Sequence, residues 1–218
     1  YLKTEAYDKA VVSFSNALEL NSRYYRARYN RALAYNALDE VQKAISDYLA
    51  VIQDFDAHAK SHMNLGLLFY REKEYVDAAD EFKRTAALSS GDTKVKALYY
   101  LGKSYVKVFP LQTEIAKGSF TEAIRLKPYH IAARLALVEL QFPNNEEGYA
   151  KRLEALDVMV SLEPENIAIY RAIAELYLLL GQEKNALKSL QKALLHEPNN
   201  LRLPFEVAEI LMHLRKDQ

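Results

Sequence analysis

The sequence predicts an all-α fold made of antiparallel helix pairs, and three observations support this prediction. Apolar residues recur at spacings of three and four, as in Ala186, Leu190, Ala193 and Leu194, which is the period of an amphipathic helix. No segment alternates apolar and polar residues in the manner of a strand. A set of residue types also returns every 34 positions in the first half of the chain, which indicates an array of helical repeats.

The repeat is defined by three series of positions. In the first series, a small residue is followed four positions later by a large one and three positions after that by another small or medium residue. In the second series, a small residue precedes an aromatic by three positions. In the third, a proline closes the unit. The series contain Ala10, Phe14 and Ala17; Ala44, Tyr48 and Val51; Ala78, Phe82 and Thr85; Ala116, Phe120 and Ala123; Ala186, Leu190 and Ala193; then Ala32 and Tyr35, Gly66 and Phe69, Gly102 and Tyr105, Ala174 and Tyr177; and Pro128, Pro164 and Pro198.

This pattern resembles the tetratricopeptide repeat, and the most regular copy spans residues 167–200. The small residue lets two helices approach closely, and the aromatic one turn later fills the space beside that contact. Each helix pair leaves an apolar face uncovered, so neighbouring pairs must stack. The resemblance implies a right-handed superhelical solenoid of about five full repeats with a half repeat at each end.

The helices follow in order from the same pattern. A first helix at about 4–20 lacks its partner, five pairs follow, and a last helix covers about 200–216. The ends carry no polar cap, which predicts a piece of a longer array and allows self-association through the ends. The domain prediction is one solenoid over 1–218, with repeats at 1–22 (partial), 25–58, 59–92, 95–130, 131–166, 167–200 and 201–218 (partial).

Two places interrupt the period. Phe109-Pro110 lengthens one unit, and the segment 142–145 lengthens the next, in which Arg152, Val138 and Gln141 replace the expected small or aromatic residues. The pairing of 129–141 with 146–161 is therefore the least regular of the set. These interruptions are either loop variation that stacking tolerates, or a bend or a loop that contacts a partner.

The resemblance also implies which residues face the inner surface, namely the second, fifth, sixth and ninth of each first helix. In the first half of the chain these positions are basic and amide-rich, with aromatics between them. Towards the C-terminus they become apolar and mixed-acidic, with Glu139, Glu175, Glu206 and Glu209 beside Arg171 and Arg202. A groove of such polarity would fix the direction of an extended ligand. The candidate peptide-binding residues are Arg26, Tyr29, Asn30, Lys60, Asn64, Arg71, Lys96, Tyr99, Tyr100, Lys103 and Lys107.

Part of this set resembles the carboxylate clamp of chaperone-binding tetratricopeptide domains. Arg26 with Asn30, then Asn64, then Lys96 fall at the clamp positions, but Tyr100 stands where the clamp has Arg. Without that Arg the bidentate partner of a carboxylate is missing. An alignment shifted by one repeat, a groove of another specificity, an asparagine ladder that grips a peptide backbone, and a face without a ligand remain open. Both clamp alignments use Asn30, Lys60 and Asn64.

The sequence shows no catalytic or cofactor motif. Cysteine is absent, the six glycines are scattered, and no serine lies in a nucleophile-elbow pattern. His58 and His62 are spaced to share a helix face, but no third metal ligand is evident nearby, so we expect packing or surface histidines. We therefore expect no enzyme, no metal, no cofactor and no small-molecule substrate.

The predicted function is an interaction scaffold that binds a peptide or protein segment in the concave groove, including an acidic or C-terminal carboxylate peptide. The alternatives are a substrate-recruiting arm of a larger enzyme and a structural subunit of an assembly. A net charge of zero gives no sign of nucleic-acid binding, which we do not expect because the basic stripe at Lys96, Lys103 and Lys107 is short and flanked by acidic residues. No apolar run is long enough to span a membrane. The sequence does not fix the compartment, although the lack of a signal in these residues favours the cytoplasm.

Overall fold

The computed structural model describes the backbone of residues 2–108 and 113–216, and this part of the chain contains twelve α-helices and no strand. The predicted all-α fold of paired helices is confirmed, and each predicted helix lies within a few residues of an observed one. The interruption at Phe109-Pro110 lies outside the described residues. The helices are α1 (Leu2–Leu20), α2 (Tyr25–Ala37), α3 (Val41–Asp54), α4 (Ala59–Arg71), α5 (Tyr75–Leu88), α6 (Gly91–Val108), α7 (Thr113–Leu126), α8 (Ile131–Gln141), α9 (Glu146–Leu162), α10 (Ile167–Leu179), α11 (Glu183–His196) and α12 (Leu203–Lys216).

The chain divides into two compact units, residues 1–128 with α1 to α7 and residues 129–218 with α8 to α12, called here unit 1 and unit 2. Each unit has its own hydrophobic core. In unit 1 a cluster forms around fully buried Tyr48 and Leu65, and in unit 2 the clusters include Leu156 and Leu190. The boundaries of the individual repeats remain a prediction.

Close helix contacts in unit 1 depend on the small residues of the repeat. A Cβ atom added at Gly66 would lie 2.9 Å from Cε1 of Phe82, and one added at Gly102 would lie 2.6 Å from Cε1 of Phe120. Both distances are shorter than real side chains tolerate, so the glycine and the aromatic ring are matched. The same close approach explains why Ala32 and Ala44 are fully buried in α2 and α3.

The turn inside a helix pair has a recurring backbone conformation. Asp39 between α2 and α3, Lys73 between α4 and α5, and Gly181 between α10 and α11 all have φ between 61° and 67°. This left-handed region suits glycine and costs other residues free energy. Only one of the three turns uses the residue type that fits it best.

The α8–α9 pair of unit 2 differs from the regular pairs. Arg152 takes the position that is alanine in most other second helices, and its side chain is buried. Its Nη2 donates to the carbonyl oxygens of Glu139 and Phe142 and to Oδ1 of Asn144, so the guanidinium caps the end of α8. Accordingly α8 and α9 pack loosely on each other, and α9 packs mainly on α10.

The loop between α8 and α9 is fixed by close contacts at its second half. A Cβ atom at Gly148 would lie 2.0 Å from the carbonyl oxygen of Pro143, so only glycine fits there. Oδ1 of Asn145 accepts from the Gly148 amide at 2.8 Å and caps α9. Pro143 and Asn145 thus connect the loop directly to the first turn of α9.

No helix among the described residues is long and apolar enough to cross a membrane.

Candidate functional site

All the candidate peptide-binding residues lie on α2, α4 and α6, which are the first helices of their pairs in unit 1. Helical spacing places residues three and four apart on one face, so Arg26, Tyr29 and Asn30 share a face of α2. Lys60 and Asn64 share a face of α4 for the same reason. The structure divides most of the candidates into two clusters and leaves Arg71, Lys96 and Lys107 outside them.

The first cluster lines a cavity of about 220 Å³ between α2 and α4, called here the basic cavity. The sequence predicts Arg26, Tyr29, Asn30 and Lys60 as candidates, and the structure brings these four side chains together. The cavity also contains two residues that sequence reasoning missed. The complete lining is Tyr25, Arg26, Tyr29, Asn30, His58 and Lys60.

Aromatic rings form one wall of the basic cavity. The ring of His58 lies 5.0 Å from that of Tyr29 and 5.8 Å from that of Tyr25, both in edge-on geometry. Nε of Arg26 donates to the Tyr25 hydroxyl at 3.3 Å, and its guanidinium lies 5.9 Å from the centroid of that ring. The aromatic wall thus orients a cation towards the cavity.

Asn64 is connected to the first cluster through Tyr29. Its Nδ2 donates to the Tyr29 hydroxyl at 3.1 Å, which joins α4 to α2 across the face of unit 1. Burial raises the pKa of Tyr29 and outweighs the hydrogen bond from Asn64, which favours the ionised form. The hydroxyl therefore remains a neutral hydrogen-bonding group at physiological pH.

The two histidines of α4 have different surroundings. Nδ1 of His58 accepts from the Ser61 amide at 3.2 Å and caps the helix, and burial followed by the charges of Lys60 and His62 lowers its pKa. His62 is buried, and its ring nitrogens contact Oε2 of Glu81 at 2.6 Å and the Asp56 carbonyl at 2.8 Å. His58 is thus a neutral cap in the basic cavity, and His62 links α4 to α5.

The second cluster surrounds Lys103 on α6. Its ammonium lies 5.3 Å from the ring centroid of Tyr70, 5.6 Å from that of Tyr99 and 5.9 Å from that of Tyr100. Cations at these distances are attracted by the ring faces. Tyr100 also stacks on Phe82 at 5.3 Å, so the residue that replaces the clamp Arg is a packing residue.

The remaining candidates are less closely connected. Arg71 is engaged by Asp39 at 3.2 Å and by Glu72 at 3.2 Å, so its charge is already paired. Lys96 and Lys107 are exposed on α6. Burial raises the pKa of Tyr70, and the positive charge of Lys107 partly offsets this increase. The clamp positions on α2 and α4 therefore meet in one cluster, whereas Lys96 lies outside the lining of the basic cavity.

Tyr25 and His58 could have been found from the sequence by a simple rule. Tyr25 is one helical turn before Tyr29, and His58 immediately precedes α4, where a side chain can cap the helix. The implied positions were restricted to the second, fifth, sixth and ninth residues of a helix, which excludes both. No group of three or more residues suited to hold a metal occurs in the described part of the chain.

Family models described as Tetratricopeptide repeat match residues 1–57, 44–93 and 167–200, which together make up more than half of the chain. The chain belongs to the tetratricopeptide repeat family. The third match covers the same residues as the most regular repeat of the sequence. Members of this family generally mediate protein–protein interactions and are typically scaffolds without enzymatic activity.

Two human proteins are similar in sequence to this tetratricopeptide repeat chain. Tetratricopeptide repeat protein 6 is 23% identical over 230 residues, covering 86% of this chain and 43% of that protein. Serine/threonine-protein phosphatase 5 is 33% identical over 89 residues, covering 39% of this chain and 18% of that protein. The chain spans less than half of the length of these curated relatives.

Solved structures share the fold at low sequence identity. A tetratricopeptide repeat protein from Parabacteroides merdae has a TM-score of 0.78 and 17% identity, covering 99% of this chain and 83% of that one. PilW, a type IV pilus biogenesis factor, has a TM-score of 0.69 and 17% identity, covering 95% and 93%. YrrB, described as having an unusual peptide-binding site, has a TM-score of 0.58 and 19% identity, covering 93% and 97%.

Proposed function

We propose that the chain is an interaction scaffold whose unit 1 binds an acidic segment of a partner protein in the basic cavity. The observation that carries this proposal is the composition of the cavity lining. Arg26 and Lys60 contribute two cations, Asn30 contributes an amide, and no carboxylate lines the cavity in the described part of the chain. A carboxylate placed there would meet donors without like-charge repulsion.

The donors of the basic cavity are available to a ligand. Within residues 4–108 and 113–212, Lys60 and Asn30 have no ion pair or side-chain hydrogen bond, and Arg26 uses only Nε, towards Tyr25. A hydrogen bond between charged groups contributes about 1.5–3 kcal/mol. An acidic side chain or a terminal carboxylate can therefore bind without first breaking an ion pair of the protein.

The aromatic wall favours the same ligand. Tyr25, Tyr29 and His58 reduce access of water to one side of the cavity, which strengthens electrostatic interactions with Arg26 and Lys60. His58 is neutral at pH 7 because burial lowers its pKa, so Arg26 and Lys60 supply the positive charge of the cavity. The proposed site thus uses α2 and α4, and it differs from a three-helix clamp because Tyr100 has no charge to offer.

The test is fluorescence anisotropy with a labelled peptide that ends in two glutamates and a free carboxylate. Lys60→Ala should weaken binding about tenfold, which corresponds to about 1.4 kcal/mol. Lys83→Ala removes the same charge from an exposed position of α5 and serves as the matched control, with affinity expected to stay within twofold. Equal affinities of the two variants would contradict the proposal.

Further variants and peptides define the ligand. Asn30→Ala should weaken binding about threefold to tenfold through the loss of one amide donor. Lys96→Ala should have little effect if the site is confined to α2 and α4, and a loss equal to that of Lys60→Ala would instead support the full clamp. A C-terminally amidated peptide that binds equally well would show that side-chain carboxylates, and not the chain terminus, are recognised.

A second candidate function is supported by the sequence match to serine/threonine-protein phosphatase 5. In that case the repeats would recruit a substrate for a catalytic domain outside the 218 residues. The full-length coding sequence tests this candidate directly, since a catalytic domain in the same chain is required. A full-length product without such a domain would reject it and leave the scaffold proposal unaffected.

A further inference from the structure

Unit 2 contains a larger cavity with a different composition. It has a volume of about 590 Å³ and lies between α10, α11 and α12, and it is called here the acidic cavity. Its volume falls in the range of about 300–1,000 Å³ that is typical of ligand sites. The floor consists of aliphatic side chains from all three helices, namely Ala174, Leu178, Leu190, Ile210 and Met212.

Charged residues surround this apolar floor. Glu175, Glu183, Glu206 and Glu209 line the cavity together with a single cation, Arg171. The lining therefore has a strong excess of negative charge, the opposite of the basic cavity.

The single cation is already used by one of the carboxylates. Nη2 of Arg171 donates to Oε1 of Glu206 at 2.6 Å, and Nε donates to Oε2 at 3.1 Å. Nε of Arg202 approaches the same carboxylate at 3.0 Å. Glu175, Glu183 and Glu209 have no ion pair or side-chain hydrogen bond within residues 4–108 and 113–212, so in this part of the chain their three carboxylates are open to a ligand.

We infer that the acidic cavity binds a segment of a partner protein in which aliphatic side chains are flanked by lysine or arginine. The aliphatic side chain would cover the floor, where Leu178 and Met212 are 43% and 58% exposed. Burial of that apolar surface is favourable by roughly 25 cal/mol per Å². The flanking cations would pair with the carboxylates of Glu175, Glu183 and Glu209.

The charge of the lining selects this occupant over others. A neutral apolar segment would partly desolvate three carboxylates without offering them a partner, which costs free energy. A second copy of unit 2 docked through the same face would bring like charges together. A basic segment with an apolar centre is the occupant that satisfies both the floor and the surrounding charges.

This inference is independent of the proposed site in unit 1, because the two cavities lie in different units and select opposite charges. Loss of acidic-peptide binding in Lys60→Ala leaves the acidic cavity intact. Variants of the acidic cavity likewise leave Arg26 and Lys60 unchanged. Each proposal can therefore fail while the other holds.

The test uses the 218-residue chain and a labelled peptide of two leucines between lysine pairs, with affinity measured by anisotropy. Glu175→Gln combined with Glu209→Gln should weaken binding about tenfold. Glu154→Gln combined with Asp157→Asn removes the same charge from exposed positions of α9 and should stay within twofold. Raising the salt concentration should weaken binding to the unmodified chain, because the contacts are partly exposed.

The apolar part of the site needs its own comparison. Leu178→Ser should weaken binding about fivefold, whereas Leu195→Ser, at a position 79% exposed on α11, should not. A peptide with serines in place of the leucines should bind more weakly, and one with glutamates in place of the lysines should not bind. Thermal unfolding of each variant verifies that the fold is retained.

Three results would overturn the inference. The first is absence of binding of the lysine peptide at millimolar concentration. The second is equal affinity of the Glu175→Gln, Glu209→Gln double variant and its α9 control. The third is a concentration-dependent dimer, measured by sedimentation velocity, that Leu178→Ser abolishes, since this would identify a second copy as the occupant.

Discussion

The α6–α7 pair of unit 1 and the α8–α9 pair of unit 2 solve the same packing problem in different ways. In α6–α7, Gly102 lies against the ring of Phe120, and Ala116 is fully buried. In α8–α9 the position of that alanine is Arg152, whose guanidinium reaches back to the end of α8. The first pair is held by close apolar contact, and the second by a buried cation that binds carbonyl oxygens.

The order of the helices is therefore the same in both pairs, whereas the contacts that join the two helices of a pair differ. The buried guanidinium of Arg152 donates to neutral acceptors, namely two backbone carbonyl oxygens and one amide oxygen. Its burial is tolerated because these acceptors sit at a helix end, where unpaired carbonyls favour a cation. The two helices of this pair pack only loosely on each other, and α9 packs mainly on α10.

The largest effect on stability is expected in the α8–α9 pair. Arg152→Ala should lower the free energy of unfolding of unit 2 by about 3–5 kcal/mol, since it removes donors to three acceptors and leaves a void. Urea unfolding followed by circular dichroism measures the change. Lys188→Ala on α11 is the control, with a cost below about 0.5 kcal/mol because this side chain is exposed. A small loss for Arg152→Ala would mean that the cation does not hold the pair.

A smaller effect on stability is expected in the α6–α7 pair. Gly102→Ala should cost about 1–3 kcal/mol, because the new Cβ would lie 2.6 Å from the Phe120 ring. Gly118→Ala on α7 is the matched control, since a Cβ atom added there would meet no other atom within 4 Å, and it should stabilise by about 0.5–1 kcal/mol. Changes of the same sign in both variants would show that close approach is not what requires Gly102.

The next smaller effect on stability is expected at the N-terminus of α9. Asn145→Ala removes the side chain that caps the helix at the Gly148 amide and should cost about 1 kcal/mol. Asn199→Ala, at an exposed turn position before α12, should change the urea midpoint little. If both variants behave alike, the cap does not contribute to the stability of the α8–α9 pair.

The mildest expected effect is a pH dependence in the α4–α5 pair of unit 1, where His62 contacts Glu81. Burial of the ring opposes protonation, but the hydrogen bonds to Glu81 and the Asp56 carbonyl, with the charges of both acidic residues, outweigh it and raise the pKa of His62 above 6.5. The protonated ring therefore stabilises the fold fully below pH 6.5, and this contribution is lost as pH rises through the raised pKa.

Thermal unfolding between pH 5.5 and 8.5 measures this contribution. The stability difference between the unmodified chain and His62→Gln should shrink as pH increases. Glu81→Gln should remove most of the same pH dependence while leaving the ring in place, since the carboxylate is what favours the charged form. A difference that grows with pH would contradict the assigned direction.

The fold was predictable from the sequence because the period of small and aromatic residues directly reports helix contacts. Gly66 and Gly102 were expected to permit close approach, and the structure shows the facing rings of Phe82 and Phe120. In the sequence Arg152 was visible only as a departure from the repeat, since two of its three acceptors are backbone carbonyls, which no sequence pattern encodes. The role of a residue that departs from the repeat pattern depends on its tertiary contacts, which the residue type alone does not reveal.

The candidate sites were predictable to a smaller extent. The residues of the basic cavity lie on two helices with a regular offset, so Arg26, Asn30 and Lys60 could be grouped from the sequence alone. The acidic cavity combines three helices, and its floor includes Leu190 and Met212 at positions outside the inner-face pattern. The pairing of the Glu206 carboxylate with Arg171 could not be predicted from the sequence, because the two residues are 35 positions apart and meet only in the fold.

The left-handed turns at Asp39, Lys73 and Gly181 have a consequence for engineering and for sequence change. Because the backbone takes the same conformation with three different residue types, the geometry of the helix pair imposes the turn. We expect Lys73, which is exposed, to accept a reporter group or an affinity label without a change in how the helices meet. The chain has no tryptophan, so an emitter attached there would report on one known turn of the array.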